Sequence, residues 1–306
     1  MPVTSRLKSA IKRLPVIREL ISERDNLLQA FKFSPPGHFY SPHPSLTDIK
    51  RDESRIFGNI PRDIPGIDLR EAPQAELLND LVKYYVDMPF SPHKVEGLRY
   101  YFENPAYSYS DAILLHCMIR HLRPKRIIEI GSGFSSCVTL DTNELFFDNS
   151  IETTFIEPYP DLLMSLVKES DKTVIQVIPR RLQDVSLDRF SKLEENDILF
   201  VDSTHVGKLD SDVNRIFFDI LPSLAPGVNI HFHDVFYPFE YPMAWIYEGR
   251  AWNEMYVLRA FLQYNSKFTI ELMNTCMQHF HRPFFEANMP LCLKNPGGSI
   301  WLRSRQ

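Results

Sequence analysis

The residues best suited to chemistry lie in Arg126-Ile-Ile-Glu-Ile-Gly-Ser-Gly-Phe-Ser-Ser136. Gly131 and Gly133 interrupt an apolar run, and glycine lets the backbone approach a ligand closely. A helix opening just beyond would present free N–H groups and a partial positive charge to that ligand. Ser132 and Ser135 are counted with the two glycines as cofactor contacts. Glu129 stands immediately before the turn, where an acid suits a cofactor with a cationic amino group and repels a pyrophosphate. Four more polar endings follow apolar runs. Glu157 closes Phe155-Ile-Glu157 and can accept both hydroxyls of a ribose. Arg181-Leu-Gln-Asp184 offers Gln183 or Asp184 to an adenine amino group. Asp202 closes Leu199-Phe-Val-Asp202, and Asp234 closes Ile230-His-Phe-His-Asp234. A lone Gly-x-Gly is a weak signal, and a lone Asp after a strand is most often a helix cap. Five polar endings in series are a stronger one.

These residues need a parallel sheet to bring them together. Ile127, Ile128 and Ile130 are β-branched and read as a buried strand. From residue 125 onward strands at 126–131, 152–157, 173–178, 197–202 and 228–233 alternate with helices at 134–145, 160–170, 184–194 and 209–223. The alternation predicts an α/β fold, a Rossmann-like, doubly wound, mostly parallel sheet covered on both faces. Ligands then bind beyond the carboxyl ends of the strands, where the strand order reverses. Lys267–Met273 and Ser299–Arg303 are read as further strands, the last an antiparallel edge after Pro296-Gly297-Gly298.

Residues 1–105 read as an N-terminal helical and irregular extension. An amphipathic helix over 5–32, interrupted near Pro15, carries Leu7, Ile11 and Leu14 and then Ile17, Leu20, Ile21, Leu27 and Leu28. Its interspersed charges suit packing on its own domain or on a second subunit, a homo-oligomer, better than a membrane surface. Residues 33–75 are rich in proline and turn residues, so regular structure is not expected. Phe33, Phe39, Tyr40, Phe57 and Ile64 make them too apolar for a free linker, which predicts an ordered wrap. Helices are expected at 74–88 and 109–122, joined by the aromatic stretch Tyr100–Tyr109 leading to the cofactor mouth. The domains are thus 1–32, 33–105 and 106–306, the last with an acceptor-side insertion at about 235–265.

Composition sets bounds. With 306 residues the chain can bury a full core. With a formal net charge of -5, nothing points to bulk electrostatic binding of nucleic acid. Cys117, Cys137, Cys276 and Cys292 lie far apart, with neither disulfide-framework nor metal spacing, and suit a reducing cytoplasm. No apolar run approaches the roughly 18 residues of a membrane span.

The stretch Glu129-Ile-Gly-Ser-Gly133 resembles the glycine motif of the class I S-adenosylmethionine-dependent methyltransferases, and Glu157 matches their ribose-binding acid. Asp202-Ser-Thr-His205, Leu224-Ala-Pro-Gly227 and His231-Phe-His-Asp234 are similar to a subgroup of small-molecule and sugar O-methyltransferases. The resemblance covers roughly 105–240. It implies S-adenosylmethionine as cofactor and a small, sugar-like acceptor, with Mg²⁺ between Asp202 and Asp234 as in metal-dependent members. Two departures weigh against the ion: Val235 follows Asp234 where a second acid is usual, and Thr204 stands where a catalytic acid is usual. His231 and His233 are taken to lie across the strand from one another, so that at most one faces the cofactor. The expected base is His205, with His233 second and Asp202 orienting His205, so the sequence favours a metal-free route. The aromatic residues between Phe232 and Tyr264 would form the acceptor wall, opposite the wrap. Two other readings compete. A nicotinamide-dependent oxidoreductase needs a third glycine where Ser136 stands, and a non-catalytic assembly protein would carry a vestigial cofactor fold.

Overall fold

The structure, a computed structural model, describes residues 15–305. Leu7, Ile11 and Leu14 lie outside them. The chain divides into two compact units, one of residues up to Asn59 with Met243–Ala251, the other of Ile60–Pro242 with Trp252 onward.

In the first unit the described residues open with the helix Pro15–Ala30. Val16, Leu20, Leu27 and Leu28 on it are exposed. Contrary to the expectation of no regular structure over 33–75, a helix spans Leu46–Phe57. Ser45 caps it by accepting the Asp48 N–H, and Arg51–Asp48 and Arg55–Asp52 pair along it. Local capping and charge spacing override the surrounding prolines. Tyr247, in the short helix Met243–Tyr247, donates its hydroxyl to Glu53 at 2.9 Å.

The second unit holds a seven-stranded sheet. Its strands are β1 (Arg126–Ile130), β2 (Glu152–Ile156), β3 (Gln176–Ile178), β4 (Ile198–Val201), β5 (Asn229–His233), β6 (Phe268–Met273) and β7 (Ser299–Ser304). Their order is β3-β2-β1-β4-β5-β7-β6, parallel from β3 through β5. β7 runs antiparallel to both neighbours, and it inserts between β5 and β6 rather than forming the expected edge. Trp301 shows why, being 1% exposed in the middle of β7. A strand with that payload belongs inside a sheet.

Helices at Glu71–Tyr85, Tyr109–Leu122 and Phe134–Phe147 follow the expected pattern. Two others shrink. The helix after β2 stops at Leu166, and Asp171, drawn onto Arg99, caps a 3-10 turn instead. Residues 184–194 hold the end of the 3-10 turn Leu182–Asp184 and the 3-10 turn Leu187–Lys192. Tyr100, Phe102, Tyr107 and the helix Tyr109–Leu122 join β1 and β4 residues in the main core, so the aromatic stretch is a packed floor. Among the described residues no helix is long and apolar enough to cross a membrane.

Candidate active site

The strand order reverses between the parallel neighbours β1 and β4, and their carboxyl ends lie close together. The Asp202 N–H donates to the Ile130 carbonyl at 2.9 Å. Gly131 takes φ +81°, and a Cβ on it would overlap the Asp202 carbonyl oxygen. Only glycine serves there. Gly133 differs, since a Cβ on it would meet only the Leu162 methyl at 3.6 Å. Space therefore opens over the turn.

A cleft of about 410 Å³ begins here, lined among others by Gly131, Glu157, Gln183 and Asp202. The size suits a small-molecule site. Glu157 is fixed by the Ser132 and Tyr159 N–H groups at 3.3 and 2.8 Å. Gln183 donates to the Asp210 carbonyl at 2.6 Å. Of the adenine alternatives Gln183 lines the cleft, whereas Asp184 is paired with Arg181 and does not.

Glu129 and Ser135 lie beneath the turn rather than in the cleft wall. The Ser135 and Ser136 hydroxyls donate to the same Glu129 oxygen at 2.6 and 2.8 Å. The other oxygen, Oε2, is buried without a partner. Burial pushes the carboxyl up to about 8 despite those hydrogen bonds. Ser136 thus supports Glu129 where a nicotinamide site would need glycine. An open glycine turn, an unpartnered acid under it and an acid at the end of β2 fit a cofactor with an amino acid tail and a ribose.

Asp202 also belongs to a second cluster. His205, three residues on, places Nε2 3.3 Å from Asp202 and 3.5 Å from Asp234. Its Nδ1 faces Glu254 at 2.8 Å. Burial alone would lower the His205 pKa, but the bonds to Asp202 and Glu254 raise it to about 10. His233 places Nδ1 3.4 Å from Asp202 and 3.7 Å from Asp234. Although burial acts the other way, His233 and His205 hold the Asp202 carboxyl well below its usual range. His205 and Asp234 both sit in the left-handed region, at φ 59° and 58°. Non-glycine residues tolerate it only when their surroundings enforce it, most often at functional sites. Here the His205 carbonyl accepts the Asn253 and Glu254 N–H groups, which open the helix Glu254–Leu262.

Asp202, His233 and Asp234 each offer a ligand atom within 4.8 Å of the others. His233 Nδ1 is buried and has no hydrogen-bond partner. The set fits a divalent cation. Its third donor precedes Asp234 as His233, so Val235 is no obstacle. His231 and His233 lie on the same face of β5, their rings 6.4 Å apart and 18° from parallel, because strand residues two apart share a face. His231 sits deeper, between Phe200 and Trp301.

Part of the expected acceptor wall is core. Tyr237, Phe239 and Tyr241 are buried, and Trp245 and Tyr247 belong to the first unit. Trp252 remains at the cluster, its ring 4.4 Å from that of His205. Asp111, whose Oδ2 lies 3.4 Å from His233 Nε2, is missed by the sequence, and Glu254, read there only as one polar option with Glu248, Arg250 and Asn253 beside the aromatic wall, is 2% exposed.

Comparison with known proteins completes the picture. A family described as "Methyltransferase domain" matches residues 128–235, the span from β1 through the end of β5. An uncharacterised protein of Archaeoglobus fulgidus is 39% identical over 170 residues, covering 54% of this chain and 76% of that protein. Among solved structures, a methyltransferase of Podospora anserina bound to S-adenosylhomocysteine is 15% identical, covering 85% of this chain and 97% of its own at a TM-score of 0.43. The O-methyltransferase TomG of Streptomyces achromogenes, in complex with S-adenosylmethionine, is 16% identical over 85% of this chain and 96% of its own, also at 0.43. With the family match lying on the strands that build the cleft, the chain belongs to the class I S-adenosylmethionine-dependent methyltransferases.

Proposed function

We propose that the chain transfers the methyl group of S-adenosylmethionine to a hydroxyl of a small, sugar-like acceptor bound over Asp202, His205 and Asp234. One observation carries this reading: Asp202 both lines the cofactor cleft and anchors the cluster of His205, His233 and Asp234. Bound in the cleft, the cofactor would supply a methyl group on a sulfonium, with a neutral thioether as the leaving group. The chain must align the acceptor and take up its proton. Both His205 ring nitrogens already face carboxylates, Glu254 on one side and Asp202 with Asp234 on the other. That arrangement holds a proton more readily than it accepts one. It supports His205 as an orienting cation and favours a cation-assisted route over the metal-free route that the sequence favours. Asp202, His233 and Asp234 would hold the ion, which would lower the hydroxyl's pKa. Trp252 beside His205 offers an aromatic face for a ring-shaped acceptor.

The test uses methyl-labelled S-adenosylmethionine with matched panels of hydroxyl and amine acceptors, before and after EDTA and with divalent ions restored. The reading expects label on oxygen, lost with EDTA and recovered with the ion. Label on nitrogen would overturn the acceptor class. EDTA-resistant turnover abolished in His205→Ala would restore the metal-free route.

A further inference from the structure

We infer that His233, held by Asp111, makes the cluster a mixed nitrogen and oxygen site that selects a nitrogen-tolerant divalent ion of the Fe²⁺, Co²⁺ or Zn²⁺ class over Mg²⁺. The inference rests on the reading above that the cluster holds a cation, and it names which one.

The donor set comes first. Oxygen ligands alone suit Mg²⁺, whereas imidazole suits zinc, iron and nickel. Here one of three donors is an imidazole nitrogen. Its Nδ1 is buried, has no hydrogen-bond partner and points at Asp202 and Asp234, 3.4 and 3.7 Å away. Ligand bonds near 2.1 Å set neighbouring donors roughly 3.0–3.4 Å apart, so small movements of the carboxylates would close the set.

The support behind His233 comes second. A ligating histidine usually gives its other nitrogen to a carboxylate, which fixes the tautomer and the ring. Asp111 stands there, with Oδ2 3.4 Å from His233 Nε2. It is 3% exposed and is itself held from two sides. Asn274 donates to Oδ1 at 2.9 Å, and the Gly298 N–H donates to Oδ2 at 3.0 Å. The glycine turn before β7 makes room, because a Cβ on Gly297 would overlap the Asp111 carboxyl. The Tyr107 ring, 5.0 Å from that of His233, closes the remaining side. Asp111 is thus a positioning residue and His233 the donor it aims.

The test uses the full chain stripped of metal, with neither cofactor nor acceptor present, so its outcome is independent of methyl transfer. Co²⁺, Zn²⁺ and Mg²⁺ are titrated by calorimetry, and pulsed electron paramagnetic resonance of the Mn²⁺-loaded protein is read for coupling to nitrogen-14. The wild type is expected to show that coupling, and His233→Glu to lose it. Because most sites bind Co²⁺ more tightly than Mg²⁺, the deciding quantity is the change in their affinity ratio, expected to fall at least ten-fold in His233→Glu. Asp111→Asn is expected to weaken Co²⁺ binding by about 10–100-fold, beyond any change in the metal-free melting temperature. If either variant fails to fold, the wild-type nitrogen coupling decides alone. An unchanged ratio in a folded His233→Glu protein or the absence of nitrogen coupling would overturn the inference. So would failure to bind any ion, which would make His233 itself the cation of the site.

Discussion

Gly131 and Gly133 are two residues apart, yet alanine should do different things at each. At Gly131 a methyl group would overlap the Asp202 carbonyl oxygen where β1 and β4 end side by side, and the backbone there sits at φ +81°. The left-handed conformation costs an alanine about 1–2 kcal/mol. Forcing the strand ends apart adds about 1–3 kcal/mol, as for other overpacked interiors. Gly131→Ala should therefore lose about 2–5 kcal/mol of stability. In a unit of this size that is a fall of about 4–20 °C in melting temperature. At Gly133 the nearest atom to a new Cβ is the Leu162 methyl at 3.6 Å, an ordinary contact, so no overlap opposes the alanine. The new methyl instead fills space over the turn and should weaken S-adenosylmethionine binding by about 1–3 kcal/mol. Thermal unfolding without ligand measures the first effect, and titration calorimetry the second. An unaltered melting temperature for Gly131→Ala would refute the steric argument. Unaltered affinity in Gly133→Ala would remove the turn from the cofactor site.

Other residues give independent checks. Glu157→Ala removes a carboxylate fixed at the cleft, and should weaken S-adenosylmethionine binding by about 1–3 kcal/mol in calorimetry; full affinity would take the ribose elsewhere. Arg99 is 3% exposed and bonded to Asp141, Glu144 and Asp171. Arg99→Met strands the buried Asp141 and should cost about 3–5 kcal/mol in denaturant unfolding, whereas a loss below 1 kcal/mol would mean that water replaces the arginine. Burial raises the Glu129 carboxyl from its ordinary 4.5 to about 8, so between those values the folded protein binds a proton that the unfolded chain has released. Its stabilising effect is complete below about 4.5 and lost as pH rises through 8. Relative to Glu129→Gln, the wild type should lose at most about 1.4 kcal/mol per pH unit across that window; parallel profiles for the two proteins would show that Glu129 does not titrate there.

What the sequence displays depends on whether a residue's partner is near in sequence or near in space. The five parallel strands are legible because their apolar runs and polar endings are local patterns. β7 between β5 and β6 is not, because strand order is set by which buried faces find each other across most of the chain. The helix Leu46–Phe57 was readable in principle from Ser45 and Asp48, but the surrounding prolines masked a local cap. The site divides along the same line. Asp202, His205, His233 and Asp234 lie at or within a few residues of the ends of β4 and β5, so spacing finds them. Asp111 and Glu254 sit in the first turns of their helices, where an acid looks like an ordinary complement to the helix dipole. Their burial marks the difference. An acid serving only the dipole stays in water, while Glu254 is 2% and Asp111 3% exposed, each facing a histidine of the cluster. A buried carboxylate needs a charged or hydrogen-bonding partner to offset its lost hydration. Those two helix starts therefore act as the outer wall of the site, fixing two imidazoles that the strand-end pattern alone leaves free to turn.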